Sequence, residues 1–215
     1  MPVILFQGDS ITDVGRNRTQ AAENNASALG GGYPLMAAAQ TLRAHPDGGL
    51  HVFNRGVSGD KVPELQARWQ ADTIALKPDI LSILVGVNDL WHKLMGNSNG
   101  TVAEFETGYG DLLRTTKEAL PNVRFVILEP FVLPAGSEPT AFWAINAKWF
   151  PEFDERRAAA QRVAKAVGAT FIPLQSMFTQ LARSAPPSYW LVDGVHPTIA
   201  GHAAIAERWR EAVGL

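Results

Sequence analysis

Cysteine is absent from the 215 residues, which excludes a disulfide scaffold, a thiolate-held zinc or iron–sulfur site and a cysteine nucleophile. Charge of one sign is also lacking. Nineteen Lys and Arg stand against 21 Asp and Glu, a net of −2, so no broad positive field invites nucleic acid or anionic lipid. No apolar run is long enough to span a bilayer: the opening Val3-Ile4-Leu5-Phe6 gives way at once to Gln7-Gly8-Asp9 and carries no basic flank. The expectation is a cytoplasmic protein without a membrane span. No internal repeat, low-complexity tract or charged tail breaks the chain, and its length fits one domain over residues 1–215.

What the sequence does contain is alternation. Short apolar runs recur at Val3 to Phe6, His51 to Phe53, Ile80 to Val85, Val123 to Leu128 and Thr170 to Ile172, each followed by a segment with helical spacing. Helices are expected at about Tyr33 to Ala44, Val62 to Leu76, Val102 to Leu120, Pro151 to Val167 and Thr198 to Val213. Pro63 and Pro151 lie near predicted helix starts, and Gly168 marks a stop. The pattern predicts an α/β three-layer sandwich around a five-stranded, mainly parallel sheet. In such sheets ligands bind beyond the carboxyl ends of the strands, so chemistry is expected just after each apolar run. Three long connections leave those ends: Asp9 to Gly32, Trp91 to Gly100, and the aromatic-rich Pro130 to Phe150.

Gly8-Asp9-Ser10 follows the first strand and puts a hydroxyl at its carboxyl end, a nucleophile's position. The plainer reading is a turn in which Asp9, Ser10 and Thr12 bond to nearby backbone. Near the other end, Asp193-Gly194-Val195-His196-Pro197 holds a carboxylate and an imidazole three residues apart. A serine hydroxyl needs a base to take its proton, and the base needs a carboxylate to orient it; Ser10, His196 and Asp193 supply those roles. A surface Asp–His turn is the alternative. Acyl transfer further needs donors for a developing oxyanion, and the loops at Gly56 to Asp60 and Gly86 to Asp89 offer the Gly59 backbone and the Asn88 amide. Asp9, Trp91 and Trp190 are the expected substrate contacts, with Glu129 a further candidate for the pocket wall. Trp69 and Trp209 have the spacing of core residues. No metal or cofactor is expected.

At four segments the chain resembles the SGNH hydrolases, also called GDSL esterases: GDSIT at Gly8 to Thr12, GVSGD at Gly56 to Asp60, GVND at Gly86 to Asp89, and DGVHP at Asp193 to Pro197. The resemblance implies a flavodoxin-like fold, Ser10 as nucleophile, His196 as base and Asp193 as its orienter. It also implies an oxyanion hole made by the Ser10 N–H, the Gly59 N–H and the Asn88 side chain. Gly8 to Arg16, Ala67-Arg68-Trp69, Lys77-Pro78-Asp79 and His196 to His202 are further similar to the small intracellular acetylxylan esterases of that family. That likeness implies a homo-oligomer and an acetylesterase acting on oligosaccharide esters. Asp60-Lys61 and Trp190-Leu191-Val192 depart from those relatives next to the acyl pocket. Other readings remain open at this point: a short-chain acyl esterase, lysophospholipase or thioesterase on lipid-like or small-molecule substrates, and a non-catalytic flavodoxin-like binding protein.

Overall fold

The computed structural model describes residues 2–20, 22–134 and 149–215. In chain order the elements are β1 (Val3–Gly8), α1 (Ser10–Asp13), α2 (Ala26–Leu29), α3 (Tyr33–Ala44), β2 (His51–Asn54), α4 (Val62–Asp72), β3 (Ile80–Leu84), α5 (Val87–Leu94), α6 (Val102–Ala119), β4 (Arg124–Leu128), α7 (Phe150–Ala166), β5 (Thr170–Ile172), α8 (Leu174–Leu181), α9 (Pro187–Trp190) and α10 (Ile199–Val213). A single 3₁₀ turn at Ile74–Leu76 ends the α4 segment.

The strands form one five-stranded sheet in the order β2-β1-β3-β4-β5, and every pairing is parallel. This order is that of the flavodoxin-like doubly wound sheet, whose ligands bind where strand order reverses beside the first strand. The runs read as strands are apolar throughout because both faces of the sheet are covered. Ile4, Phe6, Val126 and Leu128 pack with α3, α8 and α10, while Leu5, Phe125 and Ile127 pack with α4, α6 and α7. Each fully buried aliphatic or aromatic side chain stabilises the fold by about 1.5–3 kcal/mol relative to exposure.

Both indoles expected in the core are there, and each finds a partner for its N–H. Trp69 Nε1 donates to Thr116 Oγ1 at 2.8 Å, and Trp209 Nε1 donates to Ser82 Oγ at 3.0 Å. α10 docks on α3, where Tyr33 N–H donates to His202 Nδ1 at 3.2 Å and the two rings stack with centroids 6.5 Å apart. Burial lowers the His202 pKa to about 4, which keeps the imidazole neutral and able to accept.

Several helices were not expected. Trp91 to Gly100, predicted as a loop, begins instead inside α5, which starts directly after Gly86 and runs to Leu94. Val87, Leu90, Trp91 and Leu94 carry the helical period and Asn88, Asp89, His92 and Lys93 the polar face, but over eight residues directly after a strand that signal is short. Glu129, a candidate for the pocket wall, is tied up structurally: it accepts from Arg157 at 3.1 Å and from the Gln175 N–H at 2.9 Å, joining the end of β4 to α7 and α8. In the aromatic connection, Phe131 is buried against Phe178 at 4.4 Å, whereas Phe142 and Trp143 lie outside the described residues.

Candidate active site

β1 ends at Gly8 with φ +149°, and a Cβ there would stand 2.2 Å from the Leu84 carbonyl oxygen on β3. Only glycine lets the two strands close at this point and the chain turn into α1. Asp9 caps that short helix, its Oδ1 accepting the Ile11 N–H at 3.0 Å. Ser10 is the first helical residue, so its N–H is one of the donors a helix start leaves unpaired. The hydroxyl of Ser10 lies 2.9 Å from His196 Nε2.

His196 comes from a turn that shapes itself. One oxygen of Asp193 accepts the Val195 and His196 backbone N–H groups at 2.9 and 2.8 Å, and the other lies 2.7 Å from His196 Nδ1. Leu191 and Pro197 close the turn as an antiparallel bridge, with the Val192 N–H donating to the His196 carbonyl at 2.8 Å. Burial pushes the Asp193 carboxyl upward, but the His196 ring and the two backbone N–H groups outweigh it and hold the pKa at about 2. The bond to Asp193 in turn raises the His196 pKa above its ordinary value, against a smaller opposing effect of burial. Ser10, His196 and Asp193 are thus in line, hydroxyl to imidazole to carboxylate, from positions 186 residues apart.

Two further loops are bonded onto this centre. Val57 N–H donates to the Gly8 carbonyl at 2.9 Å, and Asp13 Oδ2 accepts from the Ser58 N–H at 2.9 Å and the Ser58 hydroxyl at 3.1 Å. Arg18 also binds that carboxylate oxygen. Between these anchors Gly59 adopts φ +89°, and neither its N–H nor that of Ser10 has a partner among the described residues. The third loop arrives through Asn88, whose Nδ2 donates to the Asp60 carbonyl at 3.1 Å. Arg68 completes the frame with bonds to Asp60 Oδ2 and the Arg55 carbonyl, both at 2.7 Å.

The expected substrate contacts divide. Trp91 reaches the centre: its ring lies 5.8 Å from that of His196 and meets Trp149 edge-on at 5.7 Å. Trp190 leans on Tyr189 at 5.0 Å and on the core, and it serves the site through its backbone, its carbonyl accepting the Thr198 N–H at 2.9 Å. Asp9 is corrected. It is 1% exposed, its carboxylate turned inward to the Ile11 N–H. Burial raises its pKa to about 7, moderated by the Ile11 N–H and by His196. Among the described residues no group of three His, Asp or Glu is placed to hold a metal, and no helix is long and apolar enough to cross a membrane.

The sequence profile of the GDSL-like lipase/acylhydrolase family matches residues 6–204. The chain belongs to that family. This GDSL-like protein is 30% identical over 215 residues to the acetylxylan esterase of Geobacillus stearothermophilus, covering 98% of this chain and 93% of that one. Among solved structures it is similar to a protein of Parabacteroides merdae ATCC 43184 named as a GDSL-like lipase, with 44% identity, a TM-score of 0.93 and coverage of 99% and 95% of the two chains. It is similar also to Axe2, an acetylxylan esterase from Geobacillus stearothermophilus, with 31% identity, a TM-score of 0.84 and coverage of 100% and 94%. Solved forms of Axe2 include two catalytic mutants, one with a serine and one with a histidine replaced by alanine. The fold is that of the SGNH hydrolases, and the protein is a carboxylic ester hydrolase.

Proposed function

We propose that this enzyme removes acetyl groups from carbohydrate esters, xylo-oligosaccharides above all, through Ser10, His196 and Asp193. The observation that carries the reading is the pair of contacts at 2.9 and 2.7 Å that joins the hydroxyl to the imidazole and the imidazole to the carboxylate. As Ser10 Oγ bonds to the ester carbonyl carbon, its proton passes to His196 Nε2. The negative charge then on the former carbonyl oxygen is met by the N–H groups of Ser10 and Gly59 and the amide of Asn88. Collapse breaks the bond to the sugar oxygen, which takes the proton from His196, and water then releases acetate from Ser10 by the same route.

Support for acetyl-sugar esters comes from the likeness to acetylxylan esterases over nearly the full chain and from the half-buried Trp91 ring beside His196, a surface on which a sugar can stack. One domain working in the cytoplasm as a homo-oligomer completes the proposal. Tyr189, Val192 and Ile199, exposed by 56%, 69% and 80% around the Asp193–His196 turn, are its candidate self-contact, and light scattering at assay concentration decides between assembly and monomer.

The test compares wild type and Ser10→Ala on acetylated xylo-oligosaccharide and on the 4-nitrophenyl esters of acetate and octanoate. Acetate release from the sugar, little octanoate cleavage and a loss of about 10⁴-fold or more in the variant are expected. Rapid octanoate cleavage with an untouched sugar keeps the triad and moves the substrate to lipid-like or thioester compounds. Full activity in the variant refutes the nucleophile.

A further inference from the structure

Arg156 lies in the middle of α7 with no exposed surface, although its guanidinium is permanently charged. Its carbon centre stands 5.7 Å from the Phe105 ring. Nη2 donates to the Gly100 carbonyl and to Glu152 Oε1, both at 2.8 Å, while Nε and Nη1 have no partner among the described residues. A buried cation with unspent donors is an expensive way to fill a core, and an apolar side chain of similar volume often serves stability as well or better. Packing alone therefore gives a poor account of arginine at this position.

Its contacts lead to α5. Glu152, held by Arg156, accepts Lys93 Nζ on both oxygens at 2.9 and 2.8 Å, and Lys93 is in the last turn of α5. Gly100, the other partner, lies on the connection leaving α5. At the opposite end of the helix, Asp89 accepts the Val62 N–H at 3.4 Å, and its second oxygen is buried without a hydrogen-bond partner among the described residues. Arg156 and Asp89 line one cavity of about 430 Å³. Burial drives the Asp89 carboxyl up to about 6, and the strongest influence opposing that rise is the Arg156 charge. Trp91 on α5 also meets Trp149 at the start of α7. The Lys93, Asp89 and Trp91 contacts bear on a helix too short to set its own position, and the residue before Asp89 is Asn88.

We infer that Arg156 is a positioning residue: with Glu152 and Lys93 it fixes α5 against α7 and so sets where the Asn88 amide points. The inference rests on the proposed role of Asn88 toward the oxyanion. A shift of about 1 Å in a catalytic group can cost about 10²-fold in rate, so a remote clamp of this kind registers in kcat.

The test is a double-mutant cycle on 4-nitrophenyl acetate with Arg156→Met, Asn88→Ala and the pair, each followed by thermal unfolding. Arg156→Met is expected to keep or raise Tm, to lower kcat by about 10–100-fold and to leave KM within about twofold. The double variant is expected to be no slower than Asn88→Ala alone, because a residue acting through Asn88 has nothing left to position. Arg156→Lys, which keeps the charge, restores part of the loss, and Glu152→Gln gives a weaker version of it should Arg156→Met not fold. Unchanged kcat in both Arg156→Met and Glu152→Gln overturns the inference, as do fully additive losses in the cycle. If Asn88→Ala itself keeps full kcat, the oxyanion role fails first and the positioning role falls with it, whereas loss in Asn88→Ala beside an unaffected Arg156→Met sinks the inference alone.

Discussion

The indole of Trp91 stands 5.8 Å from the imidazole of His196, the two planes inclined at 47°. At that range an electron-rich ring favours the protonated imidazole to the extent that it presents its face. Trp91→Leu is therefore expected to lower the His196 pKa, seen as a shift of the acid limb of kcat/KM toward lower pH. An acid limb that does not move assigns Trp91 to substrate contact alone.

Asp193 raises the His196 pKa above its ordinary value, so in the proposed triad the base is protonated and idle over a wider range on the acid side. In the wild type kcat/KM should fall as pH drops through a value above about 6.5. Asp193→Asn is expected to move that fall to lower pH and to reduce kcat by about 10³–10⁴-fold, since an amide neither stabilises the imidazolium nor selects the right tautomer. A pH–rate series on both proteins checks the two effects together.

Asp9 titrates in the opposite sense to a salt-bridged carboxylate. Its pKa is about 7 in the folded protein against 3.8 as the reference, so the folded state holds the proton more tightly. The associated stability is fully present below about pH 4, drains away as pH rises toward about 7 and stays lost above that. Asp9→Asn keeps an oxygen to cap Ile11 and removes the buried charge. Relative to wild type, its Tm is expected to be clearly higher at pH 8 than the same comparison gives at pH 4.5. Equal differences at the two pH values contradict the buried, proton-holding carboxyl.

Gly201 sits in the first turn of α10 against the Asp193–His196 turn. A Cβ there would lie 2.2 Å from the Trp190 carbonyl oxygen and 2.9 Å from Pro197 Cβ. Gly201→Ala must therefore displace the Leu191–Pro197 bridge, with an expected cost of about 1–3 kcal/mol and a fall in kcat as His196 moves off Ser10. Gly110, within α6, has open space at the same position. Gly110→Ala is expected to stabilise by about 0.4–1 kcal/mol and to leave activity unchanged. Melting curves and 4-nitrophenyl acetate rates on the two variants separate a clash from a mere loss of glycine.

The strands were legible because runs such as Ile80 to Leu84 are buried on both faces and so apolar at every position or nearly so. Long helices were legible through caps and period, as with Tyr33–Ala44, predicted and found with the same bounds. What escaped notice was short or polar. α5 carries Val87, Leu90, Trp91 and Leu94 at helical spacing but follows β3 after only Val85 and Gly86, and α1 is four residues that double as a turn. α8 did carry a usable signal, Leu174, Met177, Phe178 and Leu181 at helical spacing. The site residues themselves stand out because glycines and polar groups interrupt apolar strands at one rim. Arg156 gives no such sign. In sequence it belongs to an ordinary charged helix, Glu155-Arg156-Arg157, and only the packing of α5, α6 and α7 reveals that its guanidinium is enclosed.

The bond from the Tyr33 N–H to His202 seats α10 on α3, and the turn just ahead of α10 carries His196 to Ser10. Ser10 and both glycine loops leave the ribosome early, but the base is carried in by the turn ahead of α10. On the proposed triad, a nascent chain halted before Asp193 has the Ser10 hydroxyl and no His196 to take its proton. On that reading competence waits until the segment that supplies His196 has been translated and docked, and unfinished copies are expected to be inert toward esters.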